Sequence, residues 1–159
     1  MNLGMKNSGL RSERGQSLVE MAFVVLLFFT LLFSVIEFGR ALWTYNSIVQ
    51  STRAGARWAV VNVGSNGDAT NIDRTKNMVV YGSPLVSTGI PTVPGLDKSM
   101  VNVSIVTVDS DSSGVAINQK VSVIVSGYQF QFIVPIVPNI SVPAYETTLY
   151  TESMGVIPS

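Results

Sequence analysis

The sequence predicts an α+β protein: a long N-terminal helix, transmembrane and then amphipathic, packed on a small antiparallel β-sheet of three or four strands. Three observations carry this. A charge-free apolar run fills 21–36, extended upstream by Leu18 and Val19. After it, apolar residues recur at gaps of three and four as far as Val63. From Val101 onward the spacing changes to alternation with a period of two.

The apolar run from 18 to 36 covers 19 positions, about 28 Å as a helix, against a hydrocarbon thickness of about 30 Å. It is too long for an ordinary secretory h-region, and no A-x-A-like site follows it. Phe, Leu and Val fall on every face, so a buried soluble helix fits poorly. Beyond the run, Leu42, Tyr45, Ile48, Val49, Thr52, Ala56, Ala59, Val60 and Val63 mark one face of a continuing helix, and Gln50, Arg53 and Arg57 another. The first strong breaker cluster is "GSNGD" at 64–68, and no proline precedes Pro84. One helix is therefore expected over 17–63, about 70 Å long.

A second, short helix is expected over 71–81, with Asp73 near its start and "GSP" ending it. "TGIPTVPGLD" reads as a loop, having two prolines and two glycines. Val101, Val103 and Ile105 alternate with Asn102 and Ser104; Val121, Val123 and Val125 alternate with Ser122 and Ser126. Both are strand patterns. "AYETTLYTES" alternates again. "YQFQFIVPIV" stays apolar but carries Pro135 and is followed by Pro138, the mark of a strand end or an edge. A sheet with one apolar face needs a cover, and the amphipathic half of the long helix supplies one.

The expected organisation is a leader over 1–15, a transmembrane helix over 16–38, its amphipathic continuation over 39–63, and a small extracytoplasmic α+β domain over 64–159. Charge sets the orientation. Lys6, Arg11 and Arg14 against Glu13 give the first fifteen residues a net +2; the remaining seven basic and nine acidic residues give −2. A basic flank before the span predicts a cytoplasmic N-terminus and a translocated C-terminus in a single-pass membrane protein.

Composition bears on chemistry. The chain has 159 residues, 47% of them hydrophobic and 13% charged, with zero formal net charge and neither histidine nor cysteine. Neutral charge offers no nucleic-acid footprint. Without cysteine there is no disulfide or thiolate metal site, and without histidine the commonest general base and metal ligand are missing. No nucleophile–base pair assembles except through Lys or Asp, and no Gly-rich phosphate loop follows a strand. We therefore expect no catalytic residues, no cofactor, no metal and no small-molecule substrate. "DSDSSG" places Asp109, Asp111, Ser113 and Gly114 at positions one, three, five and six of a calcium loop, but position twelve is Lys120 rather than Glu. A polar hairpin loop is the simpler reading.

The residue out of character is Glu20, near the start of the span. An acid at the centre of a membrane helix costs roughly 2.5–3.5 kcal/mol on the translocon scale, and less near its ends, which makes an intramembrane acid a functional candidate. It stands five positions after Gly15, which closes the basic leader, and an apolar helix follows at once. This arrangement resembles the class III signal of type IV pilins and pseudopilins. The resemblance implies that an inner-membrane prepilin peptidase cuts between Gly15 and Gln16 and that the apolar segment stays on the mature chain. It further implies that the new amine pairs with Glu20 of a neighbouring subunit in assembly.

Two later segments narrow the resemblance. "IEFGRALW" at 36–43 and "STRAGARWAVV" at 51–61 are similar to segments of the TadE-like proteins of tight-adherence pilus systems. The matching residues are Glu37, Phe38, Gly39 and Arg40, then Arg53, Gly55, Ala56, Arg57 and Ala59. The resemblance implies a pseudopilin or minor pilin acting structurally in assembly of a bacterial tight-adherence (Flp-type) pilus. Its partners would be membrane lipid, prepilin peptidase, other pilins or pseudopilins and the inner-membrane pilus assembly platform. Its place would be the inner membrane and, for a filament subunit, the pilus. The competing reading is an uncleaved membrane-anchored extracytoplasmic adaptor of a secretion or pilus machine.

Simple physics offers readings of the same motifs. Glu37 and Arg40 stand at i, i+3, which suits an intrahelical ion pair at the membrane boundary. Arg53 and Arg57 share a face that is solvated, in contact with lipid headgroups, or paired with acids of the sheet domain such as Glu146 or Glu152. Ala54, Gly55 and Ala56 form a patch of small residues where another element can approach closely, from within the chain or from a second subunit.

Overall fold

The structure, a computed structural model, describes residues 9–62, 68–110, 112, 116–133 and 138–151, with the backbone alone at 9–14, 116 and 117. Two α-helices, a short 3-10 helix (Lys98–Met100) and five strands are formed among these residues: α1 (Gly9–Asn62), α2 (Ala69–Tyr81), β1 (Val101–Ser110), β2 (Ala116–Val125), β3 (Gln129–Phe130), β4 (Ile140–Ser141) and β5 (Tyr145–Thr151). The chain divides into two compact units, Met1–Arg40 and Ala41–Ser159.

The helix α1 begins eight residues before the expected Ser17, at Gly9. The reason is local. Leu10, Arg11, Glu13, Arg14 and Gln16 are helix-compatible residues without a proline among them. Extending an existing helix needs no new nucleus, so Gly15, at about 1 kcal/mol relative to Ala, does not stop it. In the first unit every residue from 15 to 36 is exposed. By length and composition α1 is suited to cross a membrane, and none of its apolar window is buried within the chain. Its hydroxyls are satisfied inside the helix: Thr30 Oγ1 donates to Leu26 O (2.8 Å) and Ser34 Oγ to Thr30 O (2.7 Å). A span needs this, since lipid offers no partner.

The helix ends at Asn62, whose carbonyl accepts a bond from Asn71 Nδ2 (2.7 Å). The breaker cluster falls almost wholly outside the described residues; its last member, Asp68, is the N-cap of α2, accepting from Thr70 N (3.0 Å). That cap moves the start of α2 to Ala69, two residues before the expected 71, and leaves Asp73 inside the helix. The end is as expected. Gly82 adopts a left-handed φ of 72° and returns its N–H to Met78 O, a conformation that glycine takes without steric cost.

The second unit is an α+β domain. Its main sheet has the order β1-β2-β5, antiparallel throughout, and β3 pairs separately with β4. The apolar "YQFQFIVPIV" therefore becomes a two-residue strand rather than a fourth member of the main sheet; 134–137 lie outside the described residues. The register places Val101, Val125 and Tyr145 in one row, Val103, Val123 and Thr147 in the next, and Ile105, Val121 and Leu149 in the third. These rows form the core face, as the period of two requires. They join Ile48, Ala56 and Ala59 of α1, Val79 and Val80 of α2, and Val93 and Leu96 of the loop in one hydrophobic cluster. The loop is pinned by Thr92 N donating to Val80 O (2.8 Å) and Tyr128 Oη donating to Pro94 O (2.8 Å). At the β1–β2 turn, Asp109 accepts a bond from Asn118 Nδ2 (3.3 Å). Asp111, Ser113 and Gly114 of the calcium-loop pattern lie outside the described residues.

Within the second unit, the buried face of α1 shares Ile48, Thr52, Ala56 and Ala59 with the one that hydropathy marks but is rotated from it. Thr44, Ile48, Ser51, Thr52, Gly55, Ala56 and Ala59 are buried, whereas Leu42 and Tyr45 are exposed and Val49 and Val60 half-buried. Size explains the rotation. A Cβ built on Gly55 collides with Cγ2 of the buried Val79 and lies 3.6 Å from Thr75 O, so α2 crosses α1 at a point that admits only glycine. Small residues allow this approach. Two hydroxyls among them bond back to their own helix, Ser51 Oγ and Thr52 Oγ1 both donating to Ile48 O (3.0 and 2.7 Å). Thus satisfied, they bury at little cost.

Candidate functional site

Three groups of residues along α1 carry the functional features of the sequence. In the first unit, Gly15, Gln16, Val19, Glu20 and Phe23 line one shallow, open groove on a single helix face. The spacing accounts for this: positions i, i+1, i+4, i+5 and i+8 share a face at 3.6 residues per turn. Gly15, Gln16 and Glu20 are all exposed, and Glu20 stands one turn after Gln16. A Cβ added at Gly15 meets nothing within 4 Å. No packing inside the described chain calls for a glycine there.

The second group is Glu37, Phe38, Gly39 and Arg40. Arg40 Nη2 and Nε both donate to Glu37 Oε2, at 2.8 and 3.1 Å. Glu37 is buried, Arg40 half-buried, and Phe38 and Gly39 are exposed. The expected intrahelical pair is therefore formed. Two donors on one carboxylate oxygen make it a charge-assisted contact, about twice as strong as a neutral hydrogen bond.

The third group lies in the second unit. Arg53 and Arg57 are exposed, Gly55 and Ala56 buried. Arg53 Nε donates to Tyr145 Oη (3.2 Å), and its guanidinium carbon lies 6.0 Å from the Tyr145 ring centroid. Tyr45 meets the same ring edge to face, with centroids 6.5 Å apart. Of the two acids offered as alternative partners, Glu146 pairs with neither arginine among the described residues, and Glu152 lies outside them. Alternation along β5 gives the reason. Tyr145 is on the core-side row with Val125, and the next residue, Glu146, points to the opposite face opposite Ile124. A cationic helix face over a strand meets every second side chain. Sequence reading found Arg53 but missed Tyr145; the available signal was the Thr/Tyr-rich alternation of the last strand.

Among the described residues, one N-terminal helix long and apolar enough to span a membrane, followed by a small α+β domain, fits a membrane-anchored class of protein. The family model described as TadE-like protein matches residues 15–57 of this chain, so that stretch is TadE-like. The match contains all three groups above, from Gly15 to Arg57. It connects the chain with tight-adherence pilus systems. No curated protein and no solved structure matches the chain.

Proposed function

We propose that this protein is a pseudopilin or minor pilin with a structural, non-enzymatic role in assembly of a tight-adherence pilus, acting after prepilin peptidase removes residues 1–15. The observation that carries the reading is the placement of Gly15, Gln16 and Glu20 on one exposed face at the head of an apolar helix inside the TadE-like stretch. The partners are the peptidase, other pilins or pseudopilins and the inner-membrane assembly platform. The orientation is N-terminus in the cytoplasm, with the α+β domain outside it, following the basic leader.

Gly15 suits the proposed cut for two reasons. It lacks a side chain, so a protease approaches its backbone closely. It also weakens the surrounding helix by about 1 kcal/mol relative to Ala, which eases the local opening that a helical scissile bond requires.

Gly15→Arg tests the reading. Because a side chain there meets nothing in the described chain, this substitution changes recognition and leaves packing alone. The variant is expected to accumulate as an uncut precursor, visible as a larger band beside the wild-type product. A product of wild-type size from this variant would reject peptidase processing at Gly15 and favour the uncleaved adaptor.

A further inference from the structure

Within the second unit the exposed side of α1 changes chemistry at one level. Its first exposed residues are Leu42, Trp43 and Tyr45; the next, as far as Arg57, are Asn46, Gln50, Arg53 and Arg57. Trp43 is 61% exposed, whereas the chain's other tryptophan, Trp58, packs against the core. A large apolar ring left open beside another apolar side chain, Leu42, calls for a cover.

Distance along the helix identifies that cover. From Leu18 to Tyr45 is 28 residues, about 42 Å at 1.5 Å per residue. A bilayer with its headgroup layers is about 40–45 Å thick, and its hydrocarbon core about 30 Å. The run 18–36 fills the core, and 42–45 falls in the layer beyond it. That layer is where Trp and Tyr, apolar in body and polar at the tip, are enriched. The charges in between do not interrupt the exposed side, because Glu37 is buried and binds Arg40. The polar series starting at Asn46 then marks water.

We propose that Leu42, Trp43 and Tyr45 form a lipid-interface contact, lying among the phospholipid headgroups at the C-terminal end of the span and fixing how far α1 emerges. The proposal rests on the membrane reading of α1. It moves the water boundary from the end of the apolar run to Asn46. Trp43 is the principal anchor, Leu42 adds apolar contact beneath the headgroups, and Tyr45 closes the layer.

The test is fluorescence of the full-length protein reconstituted in phosphatidylcholine–phosphatidylglycerol vesicles. The lipids are brominated either near the glycerol end or near the methyl end of the acyl chains. Trp58→Phe isolates Trp43, and the difference between wild type and Trp43→Phe supplies the same signal with Trp58 retained. Phe28→Trp, in a chain lacking both native tryptophans, reports on the span. Trp43 is expected to emit at short wavelength and to be quenched most by the glycerol-end bromines; Phe28→Trp is expected to be quenched most by the methyl-end bromines, and Trp58 by neither. Water-like, unquenched Trp43 emission would overturn the proposal. So would short-wavelength emission without quenching, which means cover by another protein, and so would strongest quenching from the methyl end. An unquenched Phe28→Trp reporter would overturn the membrane reading itself. Loss of the Trp43 signal alone leaves that reading standing.

Discussion

Replacing Gly55 by leucine is expected to destabilise the 41–159 unit by about 3 kcal/mol, the upper part of the range for overpacked cores. A first added carbon already collides with Val79, which is fully buried and stiff at χ1. Neither helix can yield without disturbing the cluster that holds the sheet to α1 and α2. Gly39 is the control within the same helix. A Cβ there meets nothing within 4 Å, so Gly39→Ala should follow intrinsic propensity and stabilise the helix by up to about 1 kcal/mol. Gly55→Ala has the same propensity gain and should nevertheless lower the melting temperature, read by near-ultraviolet circular dichroism in detergent. Adding Val79→Ala should shrink the penalty of Gly55→Ala, a coupling expected of residues in contact. Equal stabilisation by the two alanine substitutions would show that the close crossing does not limit position 55.

Glu20→Ala is expected to abolish association with other pilins while leaving insertion and processing intact. Near the end of the span an acid in a single inserted chain can reach the headgroups, so its cost to insertion is modest. When subunits leave the lipid and pack as a bundle, that escape is lost. An unpaired acid among apolar helices then costs several kcal/mol, and a paired one far less. The proposed partner is the α-amine that cutting at Gly15 would create. Gln16 lies one turn from Glu20 on the same exposed face, so in a staggered bundle a neighbour's terminus meets this position. Cyclisation of Gln16 to pyroglutamate would remove that amine's charge, and assembly would then depend on Glu20 through neutral hydrogen bonds. Recovery of pilin partners on tagged mature protein measures the effect. Equal recovery with wild type and Glu20→Ala would deny this acid an assembly role.

Much of this was legible in the sequence because the signals were strong and local. The span, the C-cap at Gly82 and the alternating strands β1, β2 and β5 all follow from patterns that a few residues determine. The phase of α1 against the domain was legible in part, since Ile48, Thr52, Ala56 and Ala59 of the expected face are buried. Hydropathy also chose Leu42 and Tyr45, which are exposed, and passed over Thr44, Ser51 and Gly55, which are buried, Gly55 by close approach of Val79 in α2. A stripe of small residues at three- and four-residue spacing was the signal to weigh against hydropathy. The partner of Arg53 was missed by one position because an acid, Glu146, is chemically obvious, whereas the pleat turns Tyr145 toward the core side. The Glu37–Arg40 pair, by contrast, required only helical spacing. Spacing alone places Gly15, Gln16 and Glu20 on one face of one helix; the cleavage and assembly roles proposed for them come from the resemblance to pilin signals.

The central claim, a leader removed between Gly15 and Gln16, is tested most directly by the intact mass and N-terminal sequence of the wild-type protein recovered from its own cell envelope. Processing predicts a chain beginning at Gln16 and lacking residues 1–15, or the same chain lighter by one ammonia if Gln16 has cyclised. A chain that still carries residues 1–15, or one cut on the C-terminal side of the apolar run, would contradict the account.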